Sequence, residues 1–384
     1  MSRRLPAAVL AVLTVLLAAV PASASASDRV DLLVRRDAGL TAAERSAVRS
    51  DAGVRFERRL RIDDAEVVSV PAADADDALA TLEADPDVRW AVEDRVLRAQ
   101  AGDPYFPLQW SIVNTGQAVN GTAGTVDADL DVDQAWGLGV TGAGVTVAVL
   151  DTGVEAAHPE LAGRLAANPG ESGAGRETNG VDDDHNGFVD DWRGWDFVEG
   201  DRVPQDEEGH GTHVTGTIAA AAQNGIGVAG VAPDARVLPV RVLDAAGDGS
   251  FSDILSAMDY VGELGIPVAN MSLGGETDAQ PVADVAADHP GTVFLASAGN
   301  DGRNLELTQY APCEANASNV LCVGATDSRD ARATFSNYGA TAVDLYAPGV
   351  NVLSTFLDGG YAFADGTSMA TPNVAGVAAL ALQR

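Results

Sequence analysis

The fold is decided by residues 145–154, Val-Thr-Val-Ala-Val-Leu-Asp-Thr-Gly-Val, in which a short apolar run ends in an acid. A Val-rich run without polar alternation is typical of a strand buried on both faces. Similar apolar runs lie at 237–243, 267–271, 293–296 and 320–323, with helical patterns at 251–264 and 282–287. Such alternation predicts an α/β fold, a doubly wound, mostly parallel sheet with helices on both faces. Because catalytic groups collect at the carboxyl ends of parallel strands, Asp151 is a candidate site residue.

Residues 28–98 follow a different pattern. Strand-like runs lie at 30–34, 54–60, 65–70 and 88–92, and helical patterns lie at 41–49 and 73–84. Thr41 followed by Glu44 is typical of a capping box at a helix start. The β-α-β-β-α-β order predicts a small α+β, ferredoxin-like module, and an exposed connection follows at 95–102.

The N-terminus has the features of a signal peptide. Arg3 and Arg4 precede an apolar run at 7–20, and small residues of the Ala-x-Ala type follow at 22–26. A membrane anchor is the alternative, but the run is shorter than the roughly 20 residues a spanning helix needs. We therefore expect residues 1–26 to be removed, and the protein to be secreted with no remaining membrane attachment.

The net charge of −32 is concentrated downstream. Residues 101–384 carry 10 Arg against 39 Asp and Glu, whereas the preceding part has 14 against 17, and the chain contains no Lys. An acidic surface repels phosphate backbones, so the charge disfavours nucleic-acid binding as a function. Solubility and cation binding are favoured, and a biased genome composition is an equally good explanation.

The two cysteines are close in sequence. Because an exported chain meets an oxidising compartment, Cys313 and Cys322 are expected to form a disulfide. On the chain-entropy account, closing so short a loop stabilises by roughly 2–3 kcal/mol.

Two further segments complete a chemical pattern with Asp151. Residues 209–216, Gly-His-Gly-Thr-His-Val-Thr-Gly, contain His210 and lead into a helical stretch at 217–222. Residues 366–372, Gly-Thr-Ser-Met-Ala-Thr-Pro, contain Ser368 and open an apolar helix at 374–382. A serine hydroxyl needs a neighbouring base to become a nucleophile, and an acid can orient that base. The chain order acid, His, Ser is one of three known orders for such a triad.

These three blocks resemble the signatures of the subtilase family of subtilisin-like serine proteases (peptidase S8). The resemblance extends to residues 270–275 and 298–300 and runs from about residue 103 to the end. It implies a secreted serine endopeptidase in which Ser368 is the nucleophile, His210 the general acid and base, and Asp151 its orienting group. Asn300 then corresponds to the side chain of the oxyanion hole, and catalysis needs no cofactor.

The resemblance also implies where a substrate binds. Backbone edges that pair with any extended protein or peptide chain favour broad specificity. The matching residues are Gly247, Asp248 and Gly249 on one edge, Ser272, Leu273, Gly274 and Gly275 on the other, and Ser297, Ala298 and Gly299 as one wall.

Residues 182–191, Asp-Asp-Asp-His-Asn-Gly-Phe-Val-Asp-Asp, resemble the start of a calcium loop. Alternating carboxylate and amide oxygens followed by Gly suit Ca²⁺, although Arg193 stands where an EF-hand has its bidentate Glu. The alternative is a solvated acidic turn. The expected ligands of a structural Ca²⁺ are Asp182, Asp184, Asn186, Phe188, Asp190 and Asp191.

Residues 27–100 resemble the inhibitory propeptides of subtilases, and residues 101–384 the peptidase domain. This implies a zymogen that frees itself by cleavage between Leu97 and Asp103 and then acts as a monomer. A second binding or catalytic module is the alternative for the upstream part. In the family, at least one more helix follows the position of Arg384, so the C-terminal helices are expected to be missing.

The sequence disfavours three other functions. An inactive subtilase-like binding protein is disfavoured because every expected catalytic residue is intact. A lipase or esterase lacks its Gly-x-Ser-x-Gly turn here, and a zinc metalloprotease lacks His-Glu-x-x-His.

Overall fold

The computed structural model describes residues 29–94 and 102–383, which fall into two compact units divided between Arg98 and Ala99. The predicted signal peptide and most of the predicted connection at 95–102 lie outside the described residues, as does Arg384. Within the described ranges, no helix has both the length and the apolarity to cross a bilayer.

The first unit has the β-α-β-β-α-β order that the sequence predicts. Its elements are β1 (Arg29–Arg36), α1 (Ala42–Asp51), β2 (Arg55–Arg59), β3 (Ala65–Pro71), α2 (Ala75–Ala84) and β4 (Val88–Glu93). The strands form one antiparallel sheet in the order β2-β3-β1-β4. Thr41 and Glu44 form the predicted capping box, which satisfies two free backbone N–H groups at the start of α1.

A single apolar layer holds the first unit together. Leu32 and Val34 of β1 are buried against Val48 of α1 and Leu82 of α2, so both helices cover the same face of the sheet. Burying an aliphatic side chain of this size contributes about 1.5–3 kcal/mol.

The second unit is built on a seven-stranded sheet. In chain order its elements are β5 (Ala118–Val119), β6 (Thr122–Ala123), α3 (Val132–Gly137), β7 (Thr146–Asp151), β8 (Trp195–Asp196), α4 (His210–Ala219), β9 (Arg236–Arg241), α5 (Phe251–Glu263), β10 (Val268–Met271), α6 (Gln280–Asp288), β11 (Val293–Ser297), β12 (Val320–Thr326), β13 (Leu345–Pro348), β14 (Val352–Phe356), β15 (Gly360–Ala364) and α7 (Thr367–Leu382). The order in the sheet is β13-β12-β11-β10-β7-β9-β8, and all neighbours are parallel.

Alternate residues of β7 belong to two different cores. Val147 and Val149 pack with side chains of α4 and α7, whereas Ala148 and Leu150 pack with side chains of α5 and α6. Both faces of the sheet are therefore covered, which explains the apolar runs without polar alternation. The α/β prediction is confirmed.

Two helices begin earlier than the sequence indicates. The helix predicted at 217–222 begins at His210, and the helix predicted at 374–382 begins at Thr367. Small and hydroxyl residues of low helix propensity obscured both starts, but these turns are buried, and tertiary packing outweighs propensity there. As a result, His210 and Ser368 both lie in the first turn of a helix.

Phe294 in β11 is fully buried in the core that includes α5 and α6. We expect Phe294→Ala to lower the free energy of unfolding by about 3–5 kcal/mol, since it removes buried area and leaves a cavity. Guanidinium titration measures this difference. The control is Leu307→Ala, at a side chain 81% exposed, which should change the value by less than about 0.5 kcal/mol. Equal effects of the two substitutions would contradict this account of the core.

Candidate active site

The site lies where the strand order of the sheet reverses. From β7 the chain runs to β8 and β9 on one side and then crosses to β10 on the other. The carboxyl ends of β7 and β10 therefore meet at a crevice of the kind that α/β proteins use for ligands. Asp151 is the last residue of β7, and Ser272 directly follows β10.

The structure brings Asp151 and His210 together. Nδ1 of His210 lies 2.7 Å from Oδ1 of Asp151, and the Asp151 side chain is fully buried. The same carboxylate oxygen accepts a hydrogen bond from the backbone N–H of Thr152 at 2.8 Å. Since a carboxylate only accepts hydrogen bonds, the neutral form of the imidazole carries its proton on Nδ1, which leaves Nε2 able to accept a proton.

The first turn of α4 sits close against the end of β7. A Cβ at Gly211 would lie 2.1 Å from the carbonyl oxygen of Gly153, so only glycine allows this approach. Gly209 has φ of +110°, a left-handed conformation that also favours glycine. Both glycines therefore serve to bring His210 within reach of Asp151.

The charges around His210 control its ionisation. Burial alone lowers the pKa of His210, but the charge and hydrogen bond of Asp151, with the charges of Glu208 and Asp206, raise it to about 9. His213, one turn later, behaves in the opposite way, because burial lowers its pKa to about 4. Nε2 of His213 lies 3.2 and 3.1 Å from the carbonyl oxygens of Val352 and Ala362, so this histidine is a neutral structural donor.

Ser368 is the second residue of α7 and borders the same crevice. Its hydroxyl donates to the carbonyl of Ser272 at 3.1 Å, and the Ser272 hydroxyl donates to the carbonyl of Ser368 at 2.8 Å. This reciprocal pair joins the start of α7 to the end of β10. The position at a helix N-terminus favours negative charge near the Ser368 oxygen.

Asn300 follows β11 and faces the start of α7. Its Oδ1 accepts hydrogen bonds from the backbone N–H and the hydroxyl of Thr367, at 2.9 and 3.0 Å. With the carboxamide oxygen engaged in this way, the Nδ2 hydrogens are the part of Asn300 that can serve as donors.

One cleft of about 410 Å³ is lined by His210, Ser368 and Asn300. Of the residues predicted to contact substrate, all but Ala298 line it; Ala298 is fully buried and its carbonyl accepts from Asn337. The predicted residues found at the cleft are Gly247, Asp248, Gly249, Ser272, Leu273, Gly274, Gly275, Ser297 and Gly299. Lining residues that sequence analysis missed are Thr152, Glu208, Leu243, Phe251, Ile254, Thr277, Tyr310, Ala311 and Pro312.

Cys313 and Cys322 form the predicted disulfide, with Cα atoms 4.7 Å apart. Cys313 directly follows the cleft-lining segment that ends at Pro312, and Cys322 lies in β12. The bond therefore attaches one wall of the cleft to the central sheet.

The acidic loop brings two of the predicted carboxylates together with one that was not predicted. Asp184 and Asp191 converge with Glu171, which sequence analysis missed, and their oxygens lie within 4.8 Å of one another. Burial and the neighbouring carboxylates raise the pKa of Glu171, and burial raises that of Asp191. Such convergence is unfavourable unless a cation or protons neutralise it.

The remaining predicted ligands have other contacts. Asn186 donates to Asp191 at 3.0 Å and thus borders the carboxylate cluster. Asp190 pairs with Arg202, and Asp182 accepts from the backbone N–H groups of Asn186 and Gly187. The ring of Phe188 packs edge-on against the rings of Trp195, Phe197 and Tyr260, and the ring centroids are 4.9–5.4 Å apart.

Glu171 Oε2 is buried without a hydrogen-bond partner among the described residues, while Oε1 accepts from the backbone of Asp183 and Asp184. A buried carboxylate oxygen that faces two other carboxylates is a donor set suited to a hard cation. The residues present therefore fit calcium.

Comparisons with known proteins agree with this architecture. The family model described as "Subtilase family" matches residues 142–384. A "Thermophilic serine proteinase" of Bacillus sp. (strain AK1) is 40% identical over 250 residues, covering 65% of this chain and 54% of that protein. "M-protease" of Shouchella clausii (strain KSM-K16) is 43% identical over 248 residues, covering 64% and 56%.

Among solved structures, one titled "Crystal structure of a cold adapted subtilisin-like serine proteinase" superimposes with a TM-score of 0.53 at 33% identity. The match covers 72% of this chain and 84% of that one. The aligned stretches span little more than half the length of the two curated relatives. With its fold and most of its second unit matched, the chain belongs to the subtilase family.

Proposed function

We propose that the chain is a secreted serine endopeptidase that hydrolyses peptide bonds through an acyl-enzyme on Ser368. The observation that carries the proposal is the 2.7 Å contact between His210 and Asp151, in a cleft that also contains Ser368 and Asn300. His210 takes the hydroxyl proton as Ser368 attacks the carbonyl carbon, and later gives that proton to the leaving amine. Asp151 holds the imidazole in the required tautomer and stabilises its charged form.

Asn300 has the role of oxyanion donor. Its Oδ1 is engaged by Thr367, and no acceptor for its Nδ2 is found among the described residues, so the Nδ2 hydrogens bind the oxygen that becomes negative in the tetrahedral intermediate. Together with the dipole at the start of α7, this donor stabilises the transition state more than the neutral ground state.

The glycine-rich edges of the cleft, Gly247–Gly249 and Gly274–Gly275, bind the substrate backbone. Their glycines carry no side chains that would block an extended chain from pairing, so many sequences can bind. We assign residues 27–100, which contain the folded elements of the first unit, as an inhibitory propeptide released by self-cleavage between Leu97 and Asp103. The division of the two units at Arg98 and Ala99 supports this assignment.

A calcium ion would be held by Glu171, Asp184 and Asp191, with Asn186 at the border of the site. Bound there, calcium would neutralise three converging carboxylates and stabilise the loop at 168–191. No catalytic group lies among these residues, so the role is structural.

The decisive experiment compares the full chain with Ser368→Ala. We expect the variant to lose about 10⁶-fold in kcat on a peptide substrate, which is the magnitude that removal of the nucleophile causes in subtilisin itself. Casein hydrolysis and release of residues 27–100 are followed by gel and mass spectrometry. Thr277→Ala, at a cleft residue without an assigned role, is the matched control. Equal hydrolysis by the wild type and Ser368→Ala would refute the function, and full processing in Ser368→Ala would refute self-cleavage.

The pKa of His210 gives a pH dependence of known sign. His210 must be neutral to accept a proton, so kcat/KM on a neutral peptide should rise with pH, with an apparent pKa of about 9. NMR titration of the Ser368→Ala protein provides the internal control. The His210 resonance should shift near pH 9, and that of His213 should stay constant from pH 6 to 10. A kcat/KM profile that is already flat above pH 7 would contradict a pKa of about 9 for His210 as the general base.

The calcium site is tested by Glu171→Gln in the Ser368→Ala background. At about 100 times its dissociation constant, calcium should add about 2.7 kcal/mol to the free energy of unfolding, and the substitution should remove this gain. Without calcium the variant should be the more stable protein, because the raised pKa shows that the ionised carboxylate is unfavourable in the fold. Exposed Glu263→Gln is the control in thermal unfolding with and without a chelator. Identical calcium responses of the two variants would rule out the site.

A further inference from the structure

Arg193 is a charged residue that neither the catalytic site nor the calcium site uses. It stands where an EF-hand loop has its bidentate Glu, but its side chain is exposed and makes a different contact. Its guanidinium lies over the ring of Trp192, with Cζ 4.1 Å from the ring centroid. Stacking on an indole restricts the orientation of the planar guanidinium, and it leaves the N–H donors at the edge of that plane accessible to a ligand.

Arg193 differs from the other arginines of its unit. Acidic partners are abundant there, since residues 101–384 carry 39 Asp and Glu against 10 Arg. Each of the other described arginines of the second unit forms an ion pair with a carboxylate or donates to a backbone carbonyl. Arg193 has neither kind of partner among the described residues, and its contact is the one with Trp192. Its charge and its donors are therefore unoccupied within the described parts of the chain.

Arg193 borders a pocket of about 280 Å³ that shares no described lining residue with the catalytic cleft. The walls are largely apolar and include Trp192 and the buried residues Val154, Pro204 and Pro239. An engineered protein cavity of about 150 Å³ holds a benzene molecule. This pocket therefore has room for a ring or a branched aliphatic group together with a polar end.

The backbone holds the walls of this pocket in place. The N–H of Val154 donates to the carbonyl of Pro204 at 3.0 Å, which joins two of the segments that line the pocket. Gly194 has φ of +93°, and a Cβ there would overlap the carbonyl oxygen of Pro239. Only glycine therefore lets the turn after Arg193 lie against β9. The pocket is formed before any ligand binds.

The pocket carries one unbalanced positive charge. Arg202 also lines it, but its guanidinium pairs with the buried carboxylate of Asp190. The described lining contains no Asp or Glu. Because the surrounding unit is strongly acidic, it repels ligands with several negative charges, whereas a monoanion matches the single free charge of Arg193. A carboxylate is a monoanion that fits the paired donors of a guanidinium.

We infer that this pocket binds a carboxylate carried on an apolar body about the size of one amino-acid residue. The guanidinium of Arg193 binds the carboxylate, and the apolar walls cover the body of the ligand. The C-terminal residue of a peptide and a free organic acid share this chemistry. Binding of either requires no cleavage, so the inference does not depend on the proposed peptidase function.

Binding is measured on the full chain with Ser368→Ala, so that no probe is cleaved. The probes are N-acetylphenylalanine, its neutral amide and acetate. The readout is the indole N–H resonance of Trp192 in NMR, which is assigned with Trp192→Phe. We expect N-acetylphenylalanine to bind with a dissociation constant of about 1 mM or below. The amide lacks the charge and acetate lacks the apolar body, so each should bind at least about 10-fold more weakly.

Two variants test the two halves of the pocket separately. Arg193→Gln should weaken binding of N-acetylphenylalanine at least about 10-fold, because it removes a charged hydrogen-bond donor. Ala156→Phe should also weaken binding, because this exposed lining residue would then fill the pocket while Arg193 is unchanged. Arg329→Gln is the matched control, since Arg329 is exposed and lies outside the described lining. It should leave the dissociation constant unchanged.

Two further probes identify the source of the ligand. Binding of acetyl-Ala-Ala-Phe with a free carboxylate supports peptide C-termini, and binding of 3-phenylpropanoate supports free organic acids. Equal binding of N-acetylphenylalanine and its amide would overturn the inference, and so would equal binding to Arg193→Gln and the Arg329→Gln control. A shift of the His210 resonance without a shift at Trp192 would also overturn it, because the ligand would then lie in the catalytic cleft.

Discussion

The buried carboxylate of Asp206 fixes the geometry on which the site depends. Its Oδ1 accepts from the hydroxyl of Thr152 at 2.8 Å and from the backbone of Gly209 at 2.9 Å, and its Oδ2 accepts from the backbone and hydroxyl of Thr212. Thr152 follows the end of β7, and Thr212 lies in the first turn of α4. One side chain therefore sets the distance between the strand that ends in Asp151 and the helix that begins with His210.

This arrangement places several negative charges around one imidazole. Asp151 and Asp206 are buried, and Glu208 is exposed. Arg241 of β9 lies opposite Asp151 of β7 in the register of the sheet. Its guanidinium forms ion pairs with Asp196 at 2.7 Å and Glu207 at 3.1 Å, so a positive charge lies close to these acids. Arg241 thus neutralises the outer acids of this region, while the charges of Asp151, Asp206 and Glu208 act on His210 and raise its pKa.

The parts of the fold and of the candidate site that depend on short sequence patterns could be predicted from the sequence. Apolar runs identified the sheet, and the blocks around Asp151, His210 and Ser368 identified residues that the structure places at one crevice. Positions that depend on loop geometry could not be predicted. Tyr310 reaches the cleft from an irregular segment, and Glu171 lies 13 residues before Asp184 in a glycine-rich stretch without periodicity. Asp190 pairs with Arg202, and only the folded loop shows that pairing.

The acidic loop and the cleft are linked through α5. The hydroxyl of Tyr260 donates to Asp191 Oδ2 at 2.7 Å, and burial together with this carboxylate raises the pKa of Tyr260. Phe188 of the same loop packs on the Tyr260 ring, with centroids 4.9 Å apart. At its other end α5 begins at Phe251, beside the cleft edge at Gly247–Gly249. Through Tyr260 and its first residue, Phe251, α5 therefore joins the carboxylate at Asp191 to the segment at Gly247–Gly249 that lines the cleft.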